Sequence, residues 1–153
     1  PTDVFAGWGI GLIVIILIPF LREKITNNWL FYGLLLLIAL PGFFYCTSTD
    51  YFSAYGMLIG YSIAEPFEAK FVRFENTRSP IRAILRVVFG GALYFALNTA
   101  LKLPFNSEFL SSGTLAANLV RTARYAIVIF AVIGVYPIAF RYTAKLFKKK
   151  TEA

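Results

Sequence analysis

The sequence predicts an all-α fold, a polytopic integral membrane protein with about five transmembrane helices. Three observations carry that expectation. Hydrophobic residues make up 58% of the 153 and aromatic residues 18%, whereas soluble domains use about 45–50% apolar residues even with Gly counted. The apolar residues form continuous runs without the period-2 alternation of barrel strands, so helices rather than strands are expected to cross the bilayer. The basic residues stand at the ends of those runs, where orientation in a membrane places them. Mean hydropathy is +0.68.

The first run, Val4 to Phe20, is close to the shortest that spans a hydrocarbon core of ~30 Å, and it is expected to end at Pro19 and "REK". It lacks the basic leader and small-residue cleavage site of a signal peptide. The second, Trp29 to Tyr45, closes at Pro41-Gly42 and carries aromatic anchors at both edges. The third, "YFSAYGMLIGYSIA", is short and holds Ser53, Gly56, Gly60 and Ser62. Small residues at that spacing let helices approach closely, so this span is expected to be buried among its neighbours. Its Gly56/Gly60 pair also matches the GxxxG pattern of membrane helix pairs. The fourth runs from Ile84 to Leu103, with Gly90-Gly91 as a site of close packing or a kink. The fifth runs from about Leu119 to Phe140, with Pro137 near its exit. Short loops make consecutive helices antiparallel neighbours.

The charges set the orientation. With the N-terminus outside, five spans put Arg22, Lys24, Lys70, Arg73, Arg78, Arg82, Arg86, Arg141, Lys145 and Lys148 to Lys150 on the inner side, twelve of the fifteen basic residues. Lys102, Arg121 and Arg124 fall outside. The expectation is a plasma (inner) membrane protein with its N-terminus outside and its C-terminus cytoplasmic. Omitting the third span would break this pattern.

Composition also excludes function classes. A net charge of +7 and a pI near 9.7 would suit nucleic acid, but the placement of the cations at span ends argues for a bilayer and no nucleic-acid partner. Cys46 is the sole cysteine, so no internal disulfide forms. The chain has no His, which excludes His-ligated metal sites, Ser-His triads and a His nucleophile within it.

The opening stretch "PTDVFAGWGIG" carries a resemblance. It resembles the trailing half of the third signature of the type 2 phosphatidic acid phosphatase superfamily, Ser-Arg-(five residues)-His-(three residues)-Asp. In bacterial members this often continues as His-x-Pro-x-Asp-Val-x-Ala-Gly. Pro1, Thr2, Asp3, Val4, Ala6 and Gly7 occupy that continuation, and the His would stand two residues before Pro1. A second stretch, "MLIGYSIAEPFEAKFVRF", is similar to an extension found beyond the core in some bacterial members.

The resemblance implies a phospho-His mechanism without metal or cofactor. The upstream His attacks phosphorus, and Asp3 orients that His and favours its charged form. The family's Lys-(six residues)-Arg-Pro and Pro-Ser-Gly-His motifs are not in this sequence and are expected upstream. They would supply the phosphate-binding cations and the general acid. Implied substrates are phosphatidate, phosphatidylglycerol phosphate or a polyprenyl diphosphate. The expected partners are membrane lipids, the lipid phosphate substrate and upstream catalytic helices of the parent protein, with oligomeric state left open. By this reading residues 1–24 are the last helix of the catalytic core and residues 25–153 a four-helix membrane extension. By the same reading the chain is expected to be a fragment that is not catalytic alone. An acidic residue before an apolar helix also suits a simple helix cap.

Two further groups draw attention. Glu65 and Glu68 at the inner end of the third span, with Arg82 and Arg86 at the inner start of the fourth, suggest a structural ion pair, Glu65 with Arg86 or Arg82. Arg121 and Arg124, three residues apart on one helix face, are candidates for contact with a phosphate or lipid head group, or for snorkelling to the interface. Asn98 is expected to hydrogen-bond across helices. A reading from a different class is a free-standing, non-enzymatic membrane scaffold or small transporter subunit.

Overall fold

In a computed structural model of the chain, residues 2–73 and 80–139 are described, apart from the side chains of Thr2, Asp3, Ala6 and Arg82. They are helical, with no strand among the described residues. The helices are α1 (Thr2–Lys24), α2 (Asn28–Ala39), α3 (Gly42–Tyr45), α4 (Thr49–Phe67), α5 (Pro80–Ala100), α6 (Ser107–Ser111) and α7 (Leu115–Ile129). A π-helical turn at Glu68–Val72 continues α4, and another at Phe130–Val135 continues α7. Two compact units divide between Ile38 and Ala39. The runs Asn28–Tyr45, Ala83–Ala100 and Leu115–Ala139 are each long and apolar enough to cross a membrane.

In the first unit, α1 passes through Pro19 and continues to Lys24 instead of stopping at the proline. Proline removes a single i→i−4 bond, a loss that a long apolar helix absorbs near its end. Its large apolar side chains face outward all round, with Phe5 72%, Trp8 76% and Ile15 71% exposed. Asn27 starts α2, its Oδ1 accepting from the Trp29 backbone N–H at 3.0 Å. Arg22 lies over the rings of Phe31 (5.1 Å) and Tyr32 (5.9 Å), so an arginine stem and cation cover two otherwise apolar rings.

The second unit is built on α4 and α7. Ser48 caps α4 by accepting from the Asp50 N–H at 3.2 Å, and Thr114 caps α7 by accepting from the Ala117 N–H at 3.3 Å. Helix α4, which is not among the runs apolar enough to cross a membrane, packs closely on its neighbours: Phe52, Gly56, Gly60, Ser62 and Ala64 are all buried. Gly56 sits against the Thr122 carbonyl and Gly60 against Ala126 and Ile129, so a Cβ at either position would collide with α7. The GxxxG pair therefore serves packing within the chain. The close approach lets Thr122 Oγ1 donate to the Phe52 carbonyl at 3.1 Å, across the two helices.

Pro66 lies inside α4, and the π turn begins two residues later. That turn packs on the π turn of α7, with the rings of Phe67 and Phe130 5.4 Å apart and Gly134 leaving room for Phe67. Proline and π turns both widen a helix locally, and here the two widened turns accommodate the same aromatic pair. At the opposite end Phe43 of α3 packs edge-on against Tyr51, Phe52 and Tyr55. Helix α5 joins α7 through Tyr136, whose hydroxyl donates to the Arg86 carbonyl at 3.0 Å. Gly90 lets the Tyr136 ring approach, whereas Gly91 faces open space. The glycine pair is thus a packing site in an unbroken helix.

Candidate functional site

The candidate residues fall in separate parts of the fold. Asp3 is in the first turn of α1, but its side chain lies outside the described residues, as does that of Arg82. Glu65 is in the last turn of α4 and Arg86 in the second turn of α5, both partly buried. Each takes part in interactions, and the pairing of Glu65 with Arg86 or Arg82 stands as a proposal.

Arg121 and Arg124 differ more than their shared helix face suggests. Arg121 is partly buried, and its Nη2 donates to the Leu110 carbonyl at 3.1 Å, tying α6 to α7. The loop between these helices turns at Gly113, whose φ of +66° is a left-handed conformation open to glycine at little cost. Arg124 is only 5% exposed. Its guanidinium lies over the Tyr125 ring at 5.4 Å, and its charge acts on the Tyr94 hydroxyl of α5. Its Nε finds no hydrogen-bond partner among the described residues.

Tyr94 of α5 and Tyr125 of α7 interact through their side chains. One turn beyond Tyr94 on α5, the Oδ1 of Asn98 is buried without a partner among the described residues, so the expected cross-helix bond from this atom is not seen among them. Arg124 Nε on α7 and Asn98 Oδ1 on α5 are thus two buried polar atoms that lack a hydrogen-bond partner among the described residues. No cluster of three or more His, Cys, Asp or Glu side chains arranged to hold a metal ion occurs among the described residues.

Sequence reasoning missed the two tyrosines. Their signal was available: Tyr94 and Asn98 are spaced i, i+4, and Tyr125 follows Arg124 directly.

No curated protein and no solved structure matches the chain. The family described as PAP2 superfamily phosphatase, transmembrane extension, matches residues 52–149. This region runs from the buried Phe52 of α4 into the basic tail, and contains almost all of α4 and the whole of α5 and α7. It includes the "MLIGYSIAEPFEAKFVRF" stretch and leaves out the Asp3 segment. With more than half of its 153 residues matched, the chain belongs to the transmembrane extension family of PAP2 superfamily phosphatases.

Proposed function

We propose that this chain is the membrane-embedded rear part of a lipid phosphate phosphatase, with the nucleophilic His on upstream helices and Asp3 orienting it. The observation that carries the proposal is the run Pro1 to Gly7, which follows the trailing half of the phosphatase signature. Family membership over residues 52–149 supports a phosphatase-related membrane protein. The outward apolar surface around α1 suits a helix covered by lipid and by further helices of a catalytic core.

In this reading the His attacks the phosphorus atom while the lipid alkoxide leaves with a proton from the upstream general acid. Water then releases phosphate from the phospho-His. The Asp3 carboxylate accepts the N–H on the far side of the imidazole, fixing its tautomer and stabilising the imidazolium. Phosphatidate, phosphatidylglycerol phosphate or a polyprenyl diphosphate is the substrate. The N-terminus lies on the outer face of the plasma membrane, so hydrolysis occurs there.

The test is brief reaction of the full-length protein in detergent with radiolabelled phosphatidate, phosphatidylglycerol phosphate and a polyprenyl diphosphate in turn, followed by denaturation. An acid-labile, alkali-stable phosphoprotein and released phosphate are expected. Turnover without a trappable phospho-His would overturn the mechanism, and lack of turnover on all three substrate classes would overturn the enzyme reading.

A further inference from the structure

Helices α4 and α7 run parallel, and their register fixes where α4 ends in a bilayer. A Cβ at Gly56 would meet Thr122 and one at Gly60 would meet Ala126, so residue numbers advance together along the pair. The same register brings Phe67 to Phe130, with 5.4 Å between the rings, and to Gly134. Continued through the paired π turns, it sets Lys70 to Arg73 level with Tyr136 to Ala139, the last turn of the apolar run Leu115–Ala139. At ~1.5 Å per residue, that run of 25 residues exceeds a ~30 Å hydrocarbon core by a few ångströms at each end. Lys70 to Arg73 therefore stand at the head-group edge of the membrane.

The side chains at this level suit such a boundary. Phe71 is 59% exposed. Lys70 and Arg73 on either side of it are exposed, while Val72 is buried and anchors the turn. The Phe71 ring packs against Phe67 at 5.1 Å, and Lys70 Nζ lies over it at 5.4 Å. An exposed aromatic ring supported from within and flanked by two cations complements a layer of anionic head groups. Glu65 and Glu68 are partly buried and already take part in interactions. Farther along the sequence come Arg78, Arg82 and Arg86 with Glu75 as the sole acid before them, so the field at this end of the span stays positive.

The backbone of Arg73 is a second, independent observation. Its N–H donates to the Glu68 carbonyl at 2.8 Å and closes the π turn. Its φ of 50° and ψ of 62° are left-handed, a conformation in which helices usually end on glycine. Among the described residues no other non-glycine has a positive φ. The chain thus keeps a cation where glycine is accommodated more easily, and an outlier of this kind points to function.

We propose that Lys70, Phe71 and Arg73 form a docking surface for anionic phospholipid head groups, the two cations meeting the phosphates and the Phe71 ring seated at the acyl boundary. The surface depends on α7 lying in a bilayer and is independent of the phosphatase mechanism.

The experiment places the photoreactive analogue p-benzoylphenylalanine at position 71 of the full-length protein or, as a control, at position 44. Phe44 is 83% exposed and lies in a stretch, Pro41 to Asp50, that has no basic residue. The protein is irradiated in nanodiscs of equal parts phosphatidylglycerol and phosphatidylcholine, and lipid adducts are read by peptide mass spectrometry. Position 71 is expected to capture phosphatidylglycerol about threefold or more over phosphatidylcholine, and position 44 the two about equally. Lys70→Gln with Arg73→Gln should abolish the preference, Arg73→Lys should keep it, and high salt should weaken it. Arg73→Gly should lose part of the preference while thermal stability stays the same or rises, because the left-handed strain is relieved.

Equal capture of the two lipids at position 71, the same enrichment at position 44, or an unchanged preference in the double variant would overturn the proposal. A fall in stability with full preference in Arg73→Gly would make Arg73 a structural residue and remove it from the surface. Adducts to protein instead of lipid at position 71 would also overturn the proposal, by showing a polypeptide as the occupant.

Discussion

Replacing Gly56 by Ala tests the α4–α7 contact on which the second unit is built. In the structure the new Cβ meets the Thr122 carbonyl, a backbone atom that cannot rotate away. The helices must separate, at an overpacking cost of about 1–3 kcal/mol. Separation also stretches the Thr122 to Phe52 hydrogen bond, worth ~0.6 kcal/mol in a typical membrane protein. Against these stands a gain of about 1 kcal/mol from replacing Gly by Ala in a helix. The net expectation is a loss of about 0.5–2.5 kcal/mol, with a similar loss for Gly60→Ala. Gly91→Ala provides the internal control: it adds the same methyl group to a helix facing open space, so it should be neutral or stabilising by up to ~1 kcal/mol. The assay is thermal or denaturant unfolding in one detergent, with oligomeric state followed by size-exclusion chromatography with light scattering. The three variants should differ in stability without a change in subunit number. Equal stability of Gly56→Ala, Gly60→Ala and Gly91→Ala would refute the packing argument. A dimer-to-monomer change at unaltered stability would return the glycines to an interface between copies.

Two further outcomes are expected. With Cys46 replaced, cysteines introduced near Asp50 and Asn106 should react with an impermeant thiol reagent on intact cells, and those near Asn76 and Lys149 only after the membrane is opened. Outside labelling at Asn76 would refute the five-span orientation derived from the charges. Glu65→Gln should destabilise by about 1–3 kcal/mol, and adding Arg86→Gln or Arg82→Gln should recover part of the loss. Simple additivity of both pairs would show that no ion pair involves Glu65.

Helix type was legible in the sequence because long apolar runs bounded by charge leave few alternatives in a bilayer, whereas three runs among the described residues, against about five expected, are long and apolar enough to cross it. The small residues of α4 correctly announced a close approach, but they do not name the neighbour. Any helix presenting a backbone as bare as that at Thr122 would fit. The five-residue α6 was not foreseen, since "SEFLS" has no apolar periodicity of its own and is held by Arg121 from another helix. The π turns escaped for a similar reason. Pro66 marks a weak point in α4, but the widening also involves the Phe67–Phe130 contact, a tertiary event. Spacing placed Arg121 and Arg124 on one face, while their different burial depends on how α5 and α6 lie against α7. The family resemblance seen at Asp3 and in the "MLIGYSIAEPFEAKFVRF" stretch is met by the match only at the second. Residues 1–7 fall outside it.

The account's central claim is that Asp3 serves a phospho-His enzyme, and the turnover of Asp3→Asn tests it most directly. Asn preserves the side-chain shape but removes the charge that favours the imidazolium and its tautomer. Full-length wild type and Asp3→Asn are assayed on a soluble diacyl phosphate in detergent, beside the 153-residue chain alone. The variant should lose on the order of 10²–10⁴-fold in kcat, with KM changed much less because the phosphate-binding residues lie elsewhere. The isolated chain, which has no His, should release no phosphate. Wild-type turnover in Asp3→Asn would reduce the aspartate to a helix-capping role, and phosphatase activity in the isolated chain would contradict the mechanism itself.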